Sequence, residues 1–288
     1  MVKIKTGDIV GRKSYGSDIF FCVKEIYEKD NGEFAFLKGL DVRLLADSPL
    51  HDLEKKDPTE ILDYKHETIK KTSASLRNIL VNSRMRREGL DLYRGDKRNP
   101  AFFAVPGRVL HLDGDEKYLE KCMRTYMQLE VQARGFFVPE EEQPDKIEEI
   151  LSMHSADILV LTGHDGIYKG ISDFSDINQY HSTKYFVEAV IKARKITPCK
   201  DSLVIFAGAC QSHYEALLDA GANFASSPQR VLIHAYDPVF VVEKIAHTPF
   251  NETLSLTDVV GDTITGDDGI GGLETRGQFR WGYPKSPY

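Results

Sequence analysis

Cysteine and tryptophan are scarce, with four Cys and one Trp in 288 residues. The cysteines, Cys22, Cys122, Cys199 and Cys210, show no CxxC spacing. That leaves out a zinc ribbon and offers no disulfide framework. Free thiols fit a reducing compartment, so an intracellular chain is expected. No apolar run approaches the roughly 18 residues of a membrane span. Met1–Asp8 lacks the apolar stretch of a secretory signal. Positive charge is not in excess: 37 Lys and Arg stand against 44 Asp and Glu, a net charge of −7. This balance argues against nucleic acid as a partner. What remains is ordinary, with 41% hydrophobic and 28% charged residues, enough apolar material for a packed core.

The chain divides into three stretches. Residues 1–58 read as several short strands, among them Asp18–Ile26, Phe34–Leu40 and Asp41–Ala46. Asn31-Gly32 carries the signal of a tight hairpin. Together they predict a small SH3-like β-barrel. Residues 59–100 are polar and basic, with Arg77, Arg84, Arg86, Arg87, Arg94, Lys97 and Arg98, and read as a linker, helical at most over Ile69–Leu80. Residues 101–288 alternate apolar strands with amphipathic helices. Arg108–Asp113, Arg134–Val138, Asp157–Thr162, Ser202–Ala207, Asn223–Ser226 and Val231–Ala235 are the predicted strands. Continuous apolar strands separated by helices predict an α/β fold, a parallel-core sheet covered on both faces.

Ligands in such sheets bind beyond the carboxyl ends of the strands. Two ends carry chemistry. Asp157–Thr162 runs into Gly163-His164-Asp165-Gly166, and Ser202–Ala207 runs into Gly208-Ala209-Cys210-Gln211. If the strands are neighbours, an imidazole stands beside a thiol and can take its proton to make the nucleophilic thiolate. The helix after Cys210 is expected to favour the anion. Backbone N–H groups at Cys210 and at Asp165 or Gly166 are candidate oxyanion donors.

An apolar strand ending in a His turn, followed by one ending in Ala-Cys, resembles the caspase-like cysteine peptidases: caspases, legumains, clostripain, gingipains and separases. The spacing fits too, with the His roughly 50 residues upstream of the Cys. His164 is followed by Asp165 where the family has Gly. Over its whole length the chain is also similar to the sporulation-specific proteases of spore-forming bacteria. That resemblance implies cleavage of spore coat and cortex-associated proteins after Arg or Lys in the mother cell. Protein substrates are the expected partners, with no cofactor and no metal.

A basic P1 residue requires an acid in its pocket. Asp237 is the first choice and Asp165 the second, with Asp173 and Asp176 as further options. Arg84, Arg86 and Arg87 are candidate sites of self-cleavage. Three other readings compete. A metal site on Cys210, His213 and His234 lacks tight ligand spacing. An amidotransferase-type glutaminase would pair Cys210 with a downstream base, His234 or His247, but Ser212 stands where its second elbow glycine belongs. A non-catalytic spore-coat protein would bind partners through the N-terminal barrel. The Gly- and Asp-rich stretch 261–272 fits no EF-hand spacing and reads as a flexible loop near the site.

Overall fold

The computed structural model describes residues 3–29, 32–93, 102–170 and 173–286. Asp30 and Asn31 of the expected hairpin, and Arg94, Lys97 and Arg98 of the basic stretch, lie outside the described residues. The N-terminal unit is a five-stranded antiparallel sheet built from β1 (Ile9–Arg12), β2 (Phe20–Lys29), β3 (Gly32–Gly39), β4 (Leu45–Pro49) and β5 (Leu53–Lys55), in the order β4-β3-β2-β1-β5. The segment 40–44, expected as strand, is a loop between β3 and β4.

In its described part the basic stretch is a 36-residue helix, α1 (Pro58–Tyr93), far longer than the expected Ile69–Leu80. Its start has a clear cause. Asp57 accepts hydrogen bonds from the N–H groups of Thr59 and Glu60, and Glu60 reaches back to the Asp57 N–H, a reciprocal cap with Pro58 at the first helical position. Its apolar side is thin, with Ile79 buried and Tyr64 stacked on Phe20 at 4.4 Å.

The remaining elements are β6 (Phe103–Val105), β7 (Val109–Asp113), α2 (Glu116–Gln128), β8 (Ala133–Phe137), α3 (Gln143–Met153), β9 (Ile158–Thr162), α4 (Thr183–Ile196), β10 (Val204–Ala207), α5 (Tyr214–Asp219), β11 (Phe224–Ser226), α6 (Asp237–His247), α7 (Leu256–Gly261), β12 (Ile270–Gly272) and β13 (Arg280–Gly282). Six form one sheet, ordered β12-β11-β10-β9-β7-β8, parallel except for β12. Strands β7, β9 and β10 are buried along their whole length. Alternation along them feeds two cores. Val109, Val160, Val204 and Phe206 pack with α2, α6 and the N-terminal sheet. Leu110, Leu112, Leu159, Leu161 and Ile205 pack with α3 and α4. The result is a mixed α/β protein with helices on both sides of the sheet, as expected.

Val231–Ala235 is not a strand. Its backbone turns instead onto the Cys210 sulfur, as described below, and α6 follows at Asp237-Pro238, which the sequence reading did not find.

Candidate active site

The register of β9 and β10 pairs Leu161 with Ala207, so the two strand ends lie side by side. His164 and Cys210 follow them by two and three residues, at the carboxyl edge of the sheet. Gly208 opens the Cys210 turn with φ +108°, where a Cβ would meet Ser226 Oγ at 2.3 Å. Gln211, just past the thiol, holds φ 59°. Its N–H donates to Val231 O, and its side-chain oxygen accepts from the Ile167 N–H, joining the turn to its surroundings.

His164 is buried, and its partners come from an unexpected residue. Glu140, in the turn after β8, accepts the His164 backbone N–H at 2.6 Å and lies 3.6 Å from Nδ1. Gly114 and Gly163 make room for this carboxylate, since a Cβ on either would meet its atoms at 2.2–2.3 Å. His164 Nε2 has no hydrogen-bond partner among the described residues. Asp115 stands 3.9 Å away, itself paired with Lys38 of β3 at 2.5 Å. Burial holds the His164 pKa below its ordinary value, although Glu140 works the other way. The ring is therefore neutral at pH 7, the form a base requires.

The Cys210 thiol is fully buried. It accepts from the Ile233 N–H at 3.4 Å and donates to the Ile233 carbonyl at 3.6 Å. Burial pushes it up to about 12, while the backbone donor at Ile233 and the charge and backbone of Arg43 act in the opposite direction. Helix α5 begins only at Tyr214 and has six residues. The expected helix N-terminus therefore does not lie at the sulfur.

Asp165 ties the two turns together. Its carboxylate accepts from the N–H groups of Gly166 and Ser182 and from the hydroxyls of Thr183 and Ser212. Burial nevertheless raises it to about 6. Its backbone N–H donates to the Arg43 carbonyl at 3.2 Å, and its C=O accepts from the Leu45 N–H at 2.9 Å. Of the two expected oxyanion donors on the His164 turn, the Asp165 N–H thus meets a peptide carbonyl. The Gly166 N–H is turned inward onto the Asp165 carboxylate.

The first two candidates for reading P1, Asp237 and Asp165, do not face open space. Asp237 is buried at the start of α6, and its carboxylate accepts from the N–H groups of His234 and Ile264 and from the Thr265 hydroxyl. It fastens the 261–272 stretch to α6, so that stretch is a tied-down segment. Asp165 is equally committed. Asp173 and Asp176 cap their own turns through Ser175 and Asn178. The alternative bases also point elsewhere. His234 Nε2 lies 3.0 Å from Thr72 Oγ1 of α1, and His247 Nδ1 faces the Glu243 carbonyl. Arg84 is exposed on α1, while the side chains of Arg86 and Arg87 lie outside the described ones.

The family described as YabG peptidase U57 matches residues 5–284. The chain belongs to this peptidase family. The sporulation-specific protease YabG of Bacillus subtilis (strain 168) is 43% identical to it over 286 residues, covering 98% of this chain and 99% of that protein. No solved structure matches. Membership in the YabG peptidases makes the chain a peptidase, and no described helix is long and apolar enough to cross a membrane.

Proposed function

We propose that the chain is a cysteine endopeptidase acting in sporulation, with Cys210 as nucleophile and His164 as base. The observation that carries this reading is the pairing of β9 with β10, which delivers a neutral imidazole and a thiol to one edge of one parallel sheet. Glu140 holds the ring by its backbone and by Nδ1, leaving Nε2 for the proton. The thiolate attacks the scissile carbonyl, and the Asp165 N–H donates to the oxygen as negative charge develops there. His164 returns the proton to the leaving amine, and water releases the acyl group from sulfur.

The order of strands and the His-before-Cys sequence support a caspase-like catalytic sheet, and the five antiparallel strands support an SH3-like N-terminal unit. The likeness to a sporulation-specific protease supports a role in sporulation; proteins of the spore coat and cortex as substrates, met in the mother cell, and Arg or Lys at P1 belong to the same proposed reading. Self-processing at Arg84, Arg86 or Arg87 belongs to the same reading. It requires α1 to unwind locally, because a helical bond does not fit an extended peptide site.

Comparing His164→Ala with His247→Ala tests the assignment. Peptide hydrolysis lost only in His164→Ala supports it. Hydrolysis surviving there and lost in His247→Ala would place the base downstream and favour an amidase.

A further inference from the structure

The loop between β3 and β4 lies across the site, and its Arg43 is fully buried although it belongs to the N-terminal sheet unit. Its guanidinium forms a two-pronged pair with Asp113, the last residue of β7, with Nη1–Oδ1 and Nη2–Oδ2 both 2.7 Å. Nη2 also lies 3.6 Å from Cys122 Sγ, and the guanidinium sits 4.7 Å from the centre of the Tyr118 ring. Asp113 is held in place by the Asp115 N–H at 2.9 Å and by Thr162 Oγ1 at 3.1 Å. Strands β7 and β9 are neighbours, so this buried pair lies at the same sheet edge as His164.

The backbone of Arg43 is placed as well as its side chain. Its carbonyl accepts from the Asp165 N–H, its charge bears on the Cys210 thiol, and Leu44 pairs in parallel register with Asp165. A buried arginine whose carbonyl meets the candidate oxyanion donor, beside the candidate nucleophile, has the layout of a P1 residue.

We propose that Asp113 is the residue that reads a basic P1 side chain, and that Arg43 is a tethered occupant of that P1 pocket which competes with protein substrates. This rests on the cysteine-peptidase reading above. The fork geometry and the aromatic face favour Arg over Lys, because a lysine ammonium cannot make the paired contact. Asp113, His111 and Cys122 also offer ligand atoms within 4.8 Å of one another. In this structure the Arg43 guanidinium already supplies the cation there.

A tethered occupant acts as a competitor at high effective concentration, so it raises the apparent KM more than it lowers kcat. The test compares four full-length proteins on a fluorogenic arginyl peptide and its lysyl counterpart: wild type, Arg43→Ala, Arg43→Ala with Asp113→Asn, and Cys210→Ala. The double variant leaves no unpaired buried charge, which keeps it foldable, and a thermal melt checks this.

Arg43→Ala is expected to lower KM for the arginyl peptide by about 10-fold or more with little change in kcat. Adding Asp113→Asn is expected to reduce kcat/KM for that peptide by about 100-fold and to abolish the preference for Arg over Lys. An unchanged KM in Arg43→Ala overturns the tethered occupant, and an intact Arg preference in the folded double variant overturns the role of Asp113. Cys210→Ala separates the two levels. If it is as active as wild type, the cysteine-peptidase reading has failed. If it is inactive while the other outcomes go against the proposal, only this inference has failed.

Discussion

Glu140 holds His164 at two points, accepting its backbone N–H at 2.6 Å and standing 3.6 Å from its Nδ1. The two residues come from turns after different strands, 24 positions apart. A base oriented by a carboxylate on one nitrogen presents the other to the reacting proton. Glu140→Gln keeps an acceptor for the backbone but loses the charge beside the ring. It is expected to lower kcat/KM by about 100-fold. It also removes the largest of the influences that raise the His164 pKa, Asp115 supplying the other. The alkaline-favoured limb of the pH–rate profile then moves to lower pH. An unchanged profile would make Glu140 a merely structural neighbour.

Gly163 tests the same contact from the other side. A methyl group there meets Glu140 Oε1 at 2.3 Å. That oxygen is the far end of a flexible side chain, so the carboxylate swings away and gives up the hydrogen bond from the His164 N–H. Gly163→Ala is expected to lower kcat by about 10-fold or more while stability falls by only about 1–3 kcal/mol, the cost of that unpaired N–H. Steady-state kinetics alongside chemical denaturation checks both. A large loss of stability with normal kcat would show that Glu140 does not move.

The sequence reading reached His164 and Cys210 because each ends a continuous apolar strand with small residues around it. That pattern needs only local sequence, and the burial of β9 and β10 follows from it. Glu140 escaped because its contact spans 24 positions, and the only local hint is an acidic run, Glu140–Glu142, just after a strand. Arg43 gave no signal, since an arginine in a short polar loop ordinarily faces water. The Asp57–Glu60 cap is legible in the sequence, but the polar, basic run behind it reads as a linker because its apolar face is thin. Helix α6 was missed because the apolar run Val231–Ala235 resembles a strand, while its backbone is taken by Cys210 and Gln211 instead of a neighbouring strand.

Burial raises Asp165 to about 6, well above the ordinary carboxylate value of 3.8. A carboxylate whose folded pKa lies above its unfolded one contributes stability that is complete below about pH 4 and is lost as pH rises through 6. Asp165→Asn removes that dependence. The stability of the variant relative to wild type is expected to rise by about 3 kcal/mol between pH 4 and pH 7. Urea denaturation at intervals across this range measures it. A difference that stays flat with pH would mean that Asp165 is ionised without penalty.

Self-processing has a direct signature in mass. Wild type on incubation is expected to give fragments cut after Arg84, Arg86 or Arg87, and Cys210→Ala none. Intact-mass spectrometry over several hours decides the matter. Equal fragmentation in both proteins, or none in either, removes self-processing.

Cleavage of a mixed peptide library by wild type and by Cys210→Ala shows whether Cys210 performs the chemistry. Wild type is expected to cut after Arg and less often after Lys, and the variant not at all. Cleavage by Cys210→Ala at the same sites and comparable rate would contradict a catalytic role for Cys210.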